Sequence, residues 1–295
     1  MTSSPPASAS TNPTAKLVRS ANGMHIFAEA TGNPANPHVV LVPGIGFSGC
    51  VFDDFCADQR LLDALYIVRV DPRGCGRSDL AQTEEMHESK QYAEDFEAVV
   101  KAFDLRHPVL VGWSYGGTWL TDVAAHLPPF TISGCMLLVG LPYAEELPSE
   151  VGLPALLDTF PGLLGSVPAA QRAMVDLMFV DPPAPVLTYA KRLSYYGHRM
   201  DGELIRCLAG RVQPREALWA AGRAGLPLYV MYGTADGHQK GNVVPDLLRP
   251  HYKNMEVHVI EGGSHALHVD CADELADAMV RFVGRVYGKD YRQGV

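Results

Sequence analysis

Residues Pro108 to Gly117 read PVLVGWSYGG. Val109-Leu110-Val111 is a short apolar run of the kind that forms a strand covered on both faces, and Pro108 stands where a strand tolerates proline, at its start. The run feeds Gly112-Trp113-Ser114-Tyr115-Gly116, after which Gly117 to His126 carries apolar residues at helical spacing. Strand, glycine-flanked serine and helix in that order predict a sharp turn that displays the Ser114 hydroxyl. Glycines two before and two after the serine relieve the crowding of strand against helix.

Outward from this turn the chain alternates. Val39 to Val42, Leu65 to Val70 and Cys135 to Val139 are further short apolar runs, and Tyr92 to Leu105 places Phe96, Val99, Val100 and Phe103 on one helical face. Asn22-Gly23 suits the tight turn of an antiparallel hairpin between Lys16 to Arg19 and Met24 to Ala28. The alternation pauses from Pro142 to Arg223, then resumes with Leu226 to Tyr232, a helix near Val243 to Leu248, a strand Glu256 to Ile260 and an amphipathic helix Ala272 to Val286. This order predicts an α/β fold with a mostly parallel central sheet and helices on both faces. The expected organisation is a tail over 1–15, a core built from 16–141 and 224–291, and a helical cap over 142–223.

A net charge of -9, with no cluster of Lys or Arg, argues against a nucleic-acid surface. No apolar run is long enough for a membrane span, and Met1 to Ser10 lacks the basic and apolar regions of a secretory signal. Six cysteines without CxxC spacing read as free thiols rather than zinc ligands, and a cytoplasmic location is expected. The expected partner is a small molecule, and nothing in the sequence sets an oligomeric state.

A serine hydroxyl is a poor nucleophile at neutral pH and needs a base, itself oriented by a third group. Asp236 lies in Gly233-Thr234-Ala235-Asp236-Gly237, just after one strand, and His265 in Glu261-Gly262-Gly263-Ser264-His265, just after the next. Both then leave the sheet edge from which Ser114 is displayed. His268 is the rival base, Glu145 and Glu146 are the rival acids, and His238 reads as a solvated loop residue. Trp113 either walls a pocket or packs under the turn. Tyr143, Phe160, Phe179, Tyr189, Tyr195 and Tyr196 either line an apolar pocket or form the core of the cap.

With Ser114, Asp236 and His265 in that order, the chain resembles the α/β-hydrolase superfamily from about Lys16 to Tyr291. Pro43-Gly44-Ile45-Gly46-Phe47-Ser48 is similar to the family's oxyanion loop, although many relatives carry His where Pro43 stands. The resemblance implies a nucleophile–acid–base triad of Ser114, Asp236 and His265, backbone N–H donors of Ile45 and Tyr115 for an oxyanion, and a substrate pocket near Gly44, Trp113, Tyr143, Tyr195 and Tyr196. Asp71-Pro72-Arg73-Gly74 resembles a structural turn of the family, so Arg73 and Asp79 are not expected to touch substrate. The implied enzyme is a cofactor-free, metal-free serine hydrolase of the carboxylesterase type. Its substrate would be a small to medium, largely apolar ester, lactone or thioester. Carbon–carbon bond hydrolases and perhydrolases use the same triad, and a non-catalytic ligand-binding protein on this fold is the alternative of another class. Dehalogenases and epoxide hydrolases carry Asp where Ser114 stands, the loop lacks the HGGPG-like pattern of proline iminopeptidases, and the charged cap disfavours an interfacial lipase.

Overall fold

Short apolar runs flanked by turn residues become strands covered on both faces. The computed structural model describes residues 13–145, 147–180 and 201–288. Its strands are β1 (Thr14–Arg19), β2 (His25–Gly32), β3 (His38–Val42), β4 (Tyr66–Val70), β5 (Val109–Trp113), β6 (Gly134–Leu138), β7 (Leu228–Gly233) and β8 (Met255–Ile260). They form one sheet in the order β1-β2-β4-β3-β5-β6-β7-β8. Here β2 runs antiparallel to β1, as the Asn22-Gly23 hairpin requires, and also to β4, and the pairs from β4 through β8 are parallel.

The helices include α1 (Ser89–Ala102), α2 (Trp119–His126), α3 (Pro154–Leu164), α4 (Pro168–Asp176), α5 (Gly202–Ala209), α6 (Arg215–Arg223), α7 (Val243–Leu248) and α8 (Ala272–Val286). Alternate strand residues serve opposite faces. Val40, Val42 and Leu110 pack with Phe96, Val99, Leu120, Leu218 and Leu248, whereas Val39, Leu41 and Val111 pack with Leu275, Met279 and Phe282. Val109, Leu110 and Val111 are fully buried, each contributing about 1.5–3 kcal/mol of apolar burial. The helix expected from Tyr92 starts three residues earlier, at Ser89.

From β3 the chain steps outward to β4 and then crosses back to β5, with Val42 paired to Gly112. The connections from β3 and β5 therefore leave in opposite directions, opening a crevice above their carboxyl ends. Helices α3 to α6 lie in the segment between β6 and β7, and α6 packs on α2. Tyr189, Tyr195 and Tyr196 lie outside the described residues. Among those described, no helix is long and apolar enough to cross a membrane.

Candidate active site

At the end of β5 the backbone reverses on Ser114, which takes φ +52° and leads into a 3-10 turn, Ser114–Thr118, ahead of α2. L-residues rarely occupy that region, and such strain, of order 1–3 kcal/mol, persists only where the surroundings enforce it. The glycines show how they do so. A Cβ on Gly112 would lie 2.4 Å from the Gly117 Cα, one on Gly116 2.3 Å from the Val42 carbonyl oxygen, and one on Gly117 2.6 Å from the Leu141 carbonyl oxygen. Only hydrogen fits at these three places. A Cβ on Gly44 would stand 3.3 Å from that of Ser114, so the loop after β3 lies directly on the serine. Ser114 itself stays partly exposed, and Ile45 is half-buried.

Beyond β7, the Asp236 Oδ1 accepts the backbone N–H groups of His238 (2.7 Å) and Gln239 (3.0 Å). Its Oδ2 lies 2.9 Å from the His265 Nδ1, and both side chains are buried. Burial alone would raise the Asp236 pKa, but the facing His265 and the hydrogen bonds outweigh it and hold the carboxyl below its ordinary value. A carboxylate only accepts, so the His265 Nδ1–H donates to Asp236 and leaves Nε2 as the ring nitrogen free of that contact.

Ser114 and His265 are tied together by Trp113, whose Nε1 donates to the His265 carbonyl oxygen at 2.8 Å. The indole is buried against Phe47, Phe52 and His268. Of its two expected places, Trp113 occupies the one beneath the turn. His268 packs edge-on to that indole, its Nδ1 buried without a hydrogen-bond partner, and desolvation, with the neighbouring His265, pulls its pKa down to about 3. Asp236 therefore faces His265 and not His268. Glu145 stands 3.9 Å from Arg215, and Glu146 lies outside the described residues.

The residue after the serine is fixed from the opposite side. Tyr115 donates its hydroxyl to the Leu208 carbonyl oxygen (2.6 Å) and accepts from Arg211 (3.1 Å), which also forms a buried ion pair with Asp122. Ser89 and Gln213 donate to the other Asp122 oxygen at 2.7 and 2.6 Å. Tyr143 is buried edge-on to Trp219, while Phe160 and Phe179 are partly buried against the core. Arg73 is a fully buried, bidentate partner of Asp95, and Asp79 accepts from the His25 backbone, so both serve the fold.

One expectation is overturned. His238 is not a solvated loop residue but 3% exposed, because the stretch from Met174 to Met178 lies over it. No signal in the sequence marked that contact, which joins residues 64 positions apart. Among the described residues, no group of three or more His, Cys, Asp or Glu is placed to hold a metal ion.

Comparison with known proteins agrees with this architecture. The solved structure of an esterase, RhEst1, from Rhodococcus sp. ECU1013 superposes with a TM-score of 0.82 at 21% identity, covering 92% of this chain and 99% of that one. A putative aryl esterase from Burkholderia cenocepacia gives 0.80 at 19% identity, over 94% and 100%. In sequence, 107 residues are 35% identical to the probable oxidoreductase EphD of Mycobacterium tuberculosis; the match spans 35% of this chain but only 18% of that relative's length. The family model described as "Alpha/beta hydrolase family" matches residues 39–278, and the chain belongs to that family.

Proposed function

We propose that the chain is a serine hydrolase that cleaves a small to medium, largely apolar carboxylic ester, lactone or thioester through an acyl-enzyme. The observation that carries this reading is the conjunction at one sheet edge: a serine held at φ +52°, and a buried His265–Asp236 pair joined to it through Trp113. In the proposed cycle His265 Nε2 takes the Ser114 proton as Oγ attacks the carbonyl carbon, and Asp236 stabilises the imidazolium and fixes its tautomer. The oxyanion meets the backbone N–H groups of Ile45, in the loop after β3, and Tyr115, at the start of the 3-10 turn. His265 then protonates the leaving alcohol or thiol, and later activates the water that releases the acid. The segment over 142–223 acts as a cap that selects the acyl group. Its docking of Met174 and Met178 onto the acid and base loops supports that role.

The test is hydrolysis of activated esters of increasing acyl length, alongside lactones and thioesters. Ser114→Ala should lower kcat by about 10⁴-fold or more while leaving Tm close to that of the parent. Turnover retained in that variant would refute the nucleophile assignment.

A further inference from the structure

His238 is a buried titratable side chain that the cycle above does not use, yet it touches every part of the acid–base pair. Its backbone N–H donates to Asp236. Its ring lies against the His265 ring, with centroids 4.2 Å apart and planes tilted by 43°. Its Nε2 is 2.8 Å from the Met174 carbonyl oxygen, in the last turn of α4 within the segment inserted between β6 and β7. A carbonyl only accepts, so the proton sits on Nε2. Burial and the neighbouring His265 draw the His238 pKa down to about 3, which keeps the ring neutral.

The contacts around it form a splint. The His238 carbonyl accepts from Leu153 N (2.8 Å), Lys240 N donates to Val151 (2.7 Å), and Ala266 N, next to the base, donates to Met178 (3.2 Å). A Cβ on Gly237 would come within 2.3 Å of the Leu177 carbonyl oxygen, so the two stretches meet backbone to backbone. Acid loop, base loop and inserted segment are thus bound to one another around a single imidazole.

We propose that His238 is a positioning residue for the hydrolysis: its ring limits rotation of His265 and gives the imidazolium of the transition state a neutral aromatic face, while Nε2 fastens that arrangement to Met174. The inference rests on the serine-hydrolase reading. A neutral aromatic face attracts an adjacent cation, whereas a second imidazolium would repel it. Because the histidine cation exists only as the reaction proceeds, the ring contributes to kcat more than to substrate binding.

Steady-state hydrolysis of an activated ester by the full chain tests this, with Tm recorded for each variant. His238→Ala should lower kcat about tenfold, the scale of a modest misplacement of a reacting group, with KM changed less than about twofold. His238→Phe restores the aromatic face but not the donor, so kcat should return to within about threefold of the parent even though Tm falls. Unchanged kcat in His238→Ala, a loss confined to KM, or equal losses in both variants that track Tm would overturn the proposal. Ser114→Ala separates the two levels. If it is inactive while His238→Ala is unimpaired, this inference alone fails; if it is active, the serine reading fails and this inference goes with it.

Discussion

The two halves of the candidate site are held in place by different physics. Around Ser114 the restraint is steric: Gly112, Gly116 and Gly117 sit against backbone at distances no methyl could occupy, and the strained φ follows from that packing. Around His265 the restraint is polar and long-range, through Asp236, Trp113 and the neighbours of His238. Steric restraint fails abruptly when an atom is added, whereas polar restraint loosens by degrees and responds to pH. The three glycines of the serine half should therefore tolerate almost no substitution, and the histidine half should lose function before it loses its fold.

The largest effect should come from the polar half. Asp236→Asn keeps an acceptor for the His238 and Gln239 N–H groups but can present an amide to His265, which favours the wrong tautomer and should cost about 10⁴-fold in kcat with little change in Tm. Ester kinetics and thermal unfolding on one preparation check this, and unfolding in parallel with lost activity would erase the contrast. Next comes the steric half: Gly116→Ala drives a methyl into the Val42 carbonyl and should cost about 3 kcal/mol, measured by urea unfolding. A variant as stable as the parent would show that the turn is less tightly enforced than the geometry implies.

The smallest effect sharpens the pH side of the comparison. His268 is held down to about 3 in the folded chain against an ordinary value of 6.5. Between those values the unfolded chain binds protons that the native state refuses, so stability is full above pH 6.5 and is lost as pH falls toward 3. By pH 5 that amounts to about 2 kcal/mol. His238 and His87, held to about 3 and about 4, act in the same direction. His268→Phe keeps the ring against Trp113 and Phe52 and removes the titrating group. Its stability relative to the parent should thus rise by about 2 kcal/mol between pH 7.5 and pH 5; a constant difference would remove His268 from the acid response.

The contrast also explains what could be read from the sequence. The turn at Ser114 is encoded within ten residues, because strand run, glycines and helix are contiguous, and the parallel sheet follows from apolar runs alternating with helical spacing. Asp236 and His265 were legible through their place just after strands. The burial of His238 was not, since it depends on Met174 folding over it. Nor was the ion pair of Arg211 with Asp122, 89 positions apart, or the choice of Trp113 between pocket wall and packing. Such contacts leave no periodicity in the sequence, because each is made by a loop whose path is set by the elements on either side.

The hydrogen bond from Trp113 to His265 spans 152 positions, and that separation has a consequence for synthesis. At about 5–20 residues per second, roughly 8 to 30 s pass between emergence of the serine turn and emergence of the base. On the serine-hydrolase reading proposed above, the nascent chain during that interval carries Ser114 with no proton acceptor. Reactivity toward activated esters or phosphonates should thus arise late, when the last two strands dock, and a ribosome-bound fragment ending before Gly263 should be inert.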